Sequence, residues 1–184
     1  MLATALALAA SVPTRAAADP VAGCAPGWIA QAEPGRDATA RLVPRGEGAL
    51  RWMGLLVYRA RLWAPPAGWR SDAEYALEIR YARALRGAQL AERSIVEMQQ
   101  HTGAGTPAQH AHWREAMQRL FPDVNEGDCL VGHARPGGPA DFYLNGRLLG
   151  TIDDPAFAPA FFGIWLSEST SQPALRRALL GAAR

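Results

Sequence analysis

Every one of the 19 cationic side chains in this 184-residue chain is an arginine, and lysine is absent. A lysine Schiff base, a pyridoxal phosphate anchor and a phosphate-loop lysine are thereby excluded. Anion recognition falls to guanidinium groups, whose fork of donors grips a carboxylate in bidentate fashion. The other reactive side chains are scattered. His110 and His112 lie two residues apart on a predicted helix, where such positions diverge by about 200° and cannot share one metal ion. His101 and His133 are isolated, and neither C-x-x-C nor H-E-x-x-H occurs, so no metal site is expected. Ser94, Ser167, Ser169 and Ser171 lack the G-x-S-x-G turn that exposes a nucleophile. Asp153-Asp154 precedes Pro155 and reads as a helix cap, while Gly46-Glu47-Gly48 lacks the spacing of a phosphate loop. Residue spacing alone names neither a reaction nor a cofactor.

The charge balance narrows the partners. Nineteen basic against 17 acidic residues leave a formal charge of +2, and the arginines are dispersed with no basic run. Nucleic acid is therefore not an expected partner. A hydrophobic content of 49% with 20% charged residues fits one globular domain. The apolar run Leu2 to Val12, followed by Ala16 and Ala18 at A-x-A spacing, predicts a secretory signal peptide over residues 1–18, although a positively charged start is missing. That run falls short of the roughly 20 residues that span a bilayer, and no transmembrane span is expected after cleavage. The expected location is periplasmic or secreted. In an oxidising compartment Cys24 and Cys129 are candidates for a disulfide, the alternative being two unpaired thiols. Val21-Ala22-Gly23-Cys24 also resembles a lipoprotein cleavage box, which would make Cys24 a lipidation site. Residues 19–40, rich in Ala, Gly, Pro and Asp, read as a flexible leader, and 41–184 as the folded domain.

The elements that must position these side chains follow from periodicity. Between Ala49 and Ala64, Leu56, Tyr58, Ala60 and Leu62 alternate with Val57, Arg59, Arg61 and Trp63, a half-buried strand or a pair broken near Gly54. Tyr75, Leu77, Ile79 and Tyr81 alternate with Glu74, Glu78 and Arg80 in a second strand, and the two should be antiparallel neighbours with one apolar and one polar face each. Ala91, Ile95 and Met98 give a helical spacing over 87–101. Thr106 caps a second helix over 107–120 with Pro107 at its first position. Short strands are expected at 129–133 and 142–144. Asn145-Gly146 marks a type I′ hairpin turn into a strand over 147–152. Two proline-led helices, 155–166 and 173–180, close the chain. Strands, two helices, strands, two helices is the order of an α+β domain with an antiparallel sheet and helices packed on one face.

Five segments stand in a distinctive order: GEGALRWMGLLVYRARLW at 46–63, EIRYARAL at 78–85, LFPDVNEGDCL at 120–130, FYLNGRLLGTIDDPAFAPAFFGIWL at 142–166 and STSQPALRRALLG at 169–181. In this order they resemble the chalcone isomerase-like family, in its bacterial, signal-bearing branch, over roughly residues 40–181. The resemblance implies an open-faced β-sandwich in which a large antiparallel sheet curls around helices. The family includes plant enzymes that cyclise chalcones to flavanones, and relatives without that activity, some of which bind fatty acids. Its enzymes use an arginine in the G-x-G strand, a threonine on the next strand, and a helix bearing tyrosine, lysine and asparagine. Here lysine is absent, TPAQHAHWREAMQRL has neither tyrosine nor asparagine, no threonine precedes Val57-Tyr58, and Leu50 stands at the usual arginine spacing with Arg51 one place later. A one-residue slip on a strand turns a side chain to the opposite face.

The resemblance thus implies a non-catalytic binder of a small apolar or carboxylate-bearing ligand such as a fatty acid. Arg51, Tyr58, Arg59, Arg61 and His112 are the candidate ligand contacts, although Arg59 and Arg61 also fit the solvated face of a half-buried strand. The alternatives are an isomerase or intramolecular lyase with a rearranged set such as Arg51, Tyr58 and His112, or an envelope protein-interaction domain without a small ligand. Trp113 and Trp165 read as packing residues between helix and sheet.

Overall fold

Alternation of apolar residues along successive segments produces six antiparallel strands joined in sequence order: β1 (Val43–Trp52), β2 (Leu55–Ala64), β3 (Tyr75–Tyr81), β4 (Cys129–Ala134), β5 (Ala140–Leu144) and β6 (Arg147–Ile152). The computed structural model describes residues 42–181 together with Cys24 and Ile29, so the predicted signal peptide and nearly all of the leader lie outside the described residues. Between β3 and β4 the chain forms α1 (Gly87–Glu97), which runs into a π-helical turn (Met98–Thr102), and α2 (Pro107–Leu120). After β6 come α3 (Phe157–Leu166) and α4 (Pro173–Leu179). The expected α+β layout is present, with one sheet and its helices on one face.

Local chemistry sets the helix boundaries. Thr106 accepts from the Gln109 N–H while the Gln109 side chain accepts from the Thr106 N–H, and Pro107 occupies the first turn, where no N–H is needed. Asp154 accepts the Ala156 N–H just ahead of α3, and its other oxygen accepts the Trp113 indole N–H at 2.7 Å, tying α2 to the start of α3.

Facing the helices are Ala60, Leu62, Leu77, Ile79, Leu130 and Phe142, which pack against Trp113, Phe157, Phe161, Phe162 and Trp165. The rings meet mostly edge to face. Phe142 and Phe161 are centred 5.3 Å apart, Phe161 and Trp165 5.4 Å, and Tyr75 and Phe162 5.2 Å. Such contacts add about 0.5–1.5 kcal/mol each beyond the burial of the rings. Close approach also fixes the G-x-G start of β1. A Cβ on Gly46 would lie 2.1 Å from the Ala178 carbonyl oxygen, and one on Gly48 would lie 2.6 Å from a Leu175 methyl, so α4 can lie on β1 only over glycine.

The opposite face departs from the expectation of a polar, solvated surface. Trp63, Ala76, Val131 and Cys129 form a second small core with Ile29 and Leu42, and β3 is buried on both faces. Cys24 is joined to Cys129 by a disulfide, with Cα atoms 6.1 Å apart. Glu78, expected on the polar side, is buried under this cover. It accepts the Trp63 indole N–H at 3.0 Å and the Cys24 backbone N–H at 3.3 Å.

Candidate ligand site

Tyr58 is the inward-facing polar residue of β2, in register with Ala60 and Leu62 on the helix side. Its hydroxyl accepts the indole N–H of Trp165 from α3 at 2.8 Å, and its ring meets Tyr81 edge-on at 6.3 Å. Among the described residues the Tyr58 hydroxyl donates to no acceptor. Burial pushes its pKa up to about 12; the Trp165 hydrogen bond works against that rise, and the Glu97 carboxylate adds to it. Tyr81 is pushed up as well, by burial first and by Tyr58 second. At neutral pH the pair is two neutral phenols, suited to hydrogen bonding rather than to proton abstraction.

The carboxylate that acts on Tyr58 comes from the end of α1. Glu97 is 6% exposed, a position a charged side chain holds only when partnered. One oxygen takes the Arg93 guanidinium, one turn earlier. The other takes the Ser171 hydroxyl at 2.8 Å and lies 3.6 Å from His101 Nε2. Ser169, two residues before, bonds the His101 carbonyl, so the segment between α3 and α4 is held against the π-helical turn. That turn fits closely, since a Cβ on Gly163 of α3 would lie 3.0 Å from the Thr102 methyl. π-turns inside helices mark functional sites more often than ordinary turns do.

Of the sequence candidates, only Tyr58 enters this group. Arg59 and Arg61 point from the other face of β2, where Arg61 pairs with Glu47 at 3.0 Å and lies over the Trp63 ring at 5.9 Å. Arg51 is exposed at the end of β1 and donates to the Gly54 carbonyl within its own hairpin. His112 is exposed on α2, whereas His110 is buried, bonded to the Ala104 carbonyl at 2.8 Å and beside Gln99. The structure therefore does not bring the five candidates together. Trp165, read as a packing residue, is the side chain that bonds Tyr58, whereas the Glu97–Ser171 pair, whose carboxylate helps raise the Tyr58 pKa, had no reading in the sequence. Glu97 and Ser171 are 74 positions apart and Tyr58 and Trp165 are 107 apart, and the only local signal was the i,i+4 spacing of Arg93 and Glu97.

Two other polar groups complete the inventory. His133 is buried on the outer face, 2.8 Å from Glu74 and 3.8 Å from Asp141; burial lowers its pKa and the Glu74 hydrogen bond opposes the shift. Cys24, Glu78 and Cys129 are the one group among the described residues with three metal-capable atoms within 4.8 Å, and its two sulfurs are bonded to each other. A cleft of about 200 Å³ between α2 and β6, lined by Ala116, Arg119, Leu120 and Thr151 among others, is smaller than the roughly 300–1,000 Å³ of small-molecule pockets.

The chalcone isomerase-like family profile matches residues 63–181, well over half of the sequence. The chain belongs to the chalcone isomerase-like family. No curated protein matches it in sequence. Among solved structures, that of a fatty-acid binding protein of Arabidopsis thaliana is similar, with a TM-score of 0.58 over 85% of this chain and 95% of the other at 9% identity. At that identity the likeness establishes the shared fold, an open antiparallel sheet with helices on one face. In this family member, α2 presents Trp113 and Met117 to the core and carries no lysine, tyrosine or asparagine at any position.

Proposed function

We propose that this chalcone isomerase-like protein is a non-catalytic binder of a small apolar or carboxylate-bearing ligand such as a fatty acid, acting in the periplasm or outside the cell. The observation that carries the proposal is the Tyr58 hydroxyl, held in place by Trp165, with its hydrogen left to donate and its phenol kept neutral by burial. A neutral phenol with a hydrogen to donate recognises a carboxylate or carbonyl oxygen and does not abstract protons. The Arabidopsis protein of the same fold, described as a fatty-acid binding protein, supports the ligand class. The Cys24–Cys129 disulfide supports a compartment that keeps thiols oxidised. Because rings fill the space between the middle of the sheet and α3, a ligand tail has to displace side chains on entering. Tight binding therefore depends on shape as well as on the polar end.

The test is native mass spectrometry of protein purified from its own host, followed by titration of delipidated protein with saturated fatty acids of increasing length. A co-purified carboxylate ligand, and affinity lowered about tenfold or more in Tyr58→Phe, are expected, because a buried ligand oxygen would lose its donor. An empty protein that takes up no fatty acid, and that arrives with partner proteins attached, would replace the proposal with an envelope interaction domain. Turnover of a chalcone would replace it with an isomerase.

A further inference from the structure

Four large hydrophobic side chains are exposed among the described residues, and three of them share one hairpin: Trp52 at 67%, Met53 at 87% and Leu55 at 55%. The hairpin projects. β1 and β2 pair as far as Trp52 and Leu55, whereas β2 and β3 pair only from Tyr58 and Tyr81 onward, so the ribbon beyond Val57 extends past the rest of the sheet. Met53 and Gly54 form its turn with φ of 49° and 81°. A type I′ turn favours asparagine and glycine at these places, and methionine has no local reason to occupy the first. No Asp or Glu occurs between Glu47 and Asp72. Arg51 donates to the Gly54 carbonyl at 3.2 Å, which holds its guanidinium beside the apolar tip. Arg59 is exposed on the outer face of β2, in register with Arg80 of β3.

We propose that the β1–β2 hairpin docks on an anionic lipid surface, with Trp52, Met53 and Leu55 inserted at the headgroup level and Arg51 and Arg59 against lipid phosphates. Indole rings favour that boundary, each inserted apolar side chain gains from leaving water, and each arginine near the surface adds electrostatic attraction. The tip suits a lipid surface better than a protein partner. A stable protein interface buries about 800 Å² per partner, which three side chains on a narrow convex tip do not reach. Docking is independent of whether a ligand is held at Tyr58.

Cosedimentation of the oxidised protein with vesicles tests this, using phosphatidylcholine alone and phosphatidylcholine mixed with phosphatidylglycerol in equal parts, both free of fatty acid. Binding to the mixed vesicles is expected, at least about tenfold weaker on phosphatidylcholine alone. The double variant Trp52→Ser, Met53→Asn should lose about tenfold or more on the mixed vesicles while unfolding at an unchanged or higher temperature. Arg51→Gln with Arg59→Gln should remove the preference for the anionic vesicles. Wild-type protein that stays in the supernatant would overturn the proposal, as would a tip variant that binds like wild type. A dimer seen by analytical ultracentrifugation that the tip variant abolishes, without vesicle binding, would assign the tip to a second copy of the chain.

Discussion

The β1–β2 and β5–β6 hairpins have the same turn and opposite anchoring. Met53-Gly54 turns with φ of 49° and 81°, and Asn145-Gly146 with 50° and 81°. In the second hairpin the turn itself is fixed. The Asn145 N–H donates to the Cys129 carbonyl at 2.8 Å, its side-chain oxygen accepts the Cys129 N–H at 2.9 Å, and its amide donates to Asp128 at 2.9 Å. That amide, with the Asn125 N–H second, holds the Asp128 carboxyl below the usual carboxylate range. The first hairpin has no such polar turn and is fixed at its root, where Gly46 and Gly48 lie under α4. A hairpin secured at its tip serves the fold. One secured at its root, with an apolar tip in solvent, keeps a surface that folding does not explain, and such surface marks a contact with something else.

The comparison breaks most easily at the root. Gly46→Ala places a methyl 2.1 Å and 2.7 Å from the carbonyl oxygens of Ala178 and Leu179, backbone atoms that cannot swing aside. A loss of about 3 kcal/mol or more in chemical denaturation is expected, with α4 displaced from β1. Asn145→Met exchanges the second turn for the chemistry of the first. It forces methionine into a left-handed conformation and removes two side-chain hydrogen bonds, one from the Cys129 N–H and one to Asp128. The expected cost is about 2–3 kcal/mol. A cost near zero would show that the tip of this hairpin is not its anchor.

These contrasts were partly legible in sequence, and the boundary between what was and was not is physical. Period two in 55–64 and 75–81 identified β2 and β3, and Thr106-Pro107 and Asn145-Gly146 announced a helix start and a hairpin, because each depends on neighbours within four residues. Met53-Gly54 was visible only as a break, since methionine carries no turn signal. The outer face was not legible. Glu78 alternates like a solvated residue, and its burial depends on Trp63 across the strand and on Cys24 54 positions away. Tyr58 stood out because alternation put it on the apolar face, while Arg59 and Arg61 followed the same alternation outward. The inward stripe His110, Trp113, Met117 spaces buried residues at i, i+3 and i+7 and distinguishes His110 from the exposed His112. Trp165 reaches Tyr58 only through the packing of α3 on the sheet, and Ser171 meets Glu97 only through the return of the chain after α3, neither of which a local pattern encodes.

The root of the first hairpin also carries Tyr58, so alkaline pH sharpens the comparison there. The phenol ionises near 10 when unfolded and is pushed up to about 12 in the folded protein. Its contribution is therefore fully present below pH 10 and is lost as pH rises toward 12, because the unfolded chain gives up the proton first. Tyr75 and Tyr81, pushed upward by burial, act in the same direction. Thermal unfolding temperature should fall between pH 10 and 12, and Tyr58→Phe should fall less steeply. A pH-independent melting temperature across that window would show Tyr58 to be open to water. Tyr143 of the second hairpin, raised by burial first and by Asp141 second, acts in the same direction.

Met53→Asn carries the smallest change in stability and the clearest sign. Asparagine adopts φ near +50° with little strain, and methionine there costs about 1 kcal/mol relative to it. The exchange should therefore stabilise the protein by about 0.5–1 kcal/mol, opposite to Asn145→Met in the equivalent position of the other turn. If the tip exists for docking, the same substitution weakens attachment to anionic vesicles while raising the melting temperature. That divergence is what a residue kept against local preference should show. A destabilised Met53→Asn would mean instead that the methionine side chain makes a contact the fold requires, and the first hairpin would then be as much a structural element as the second.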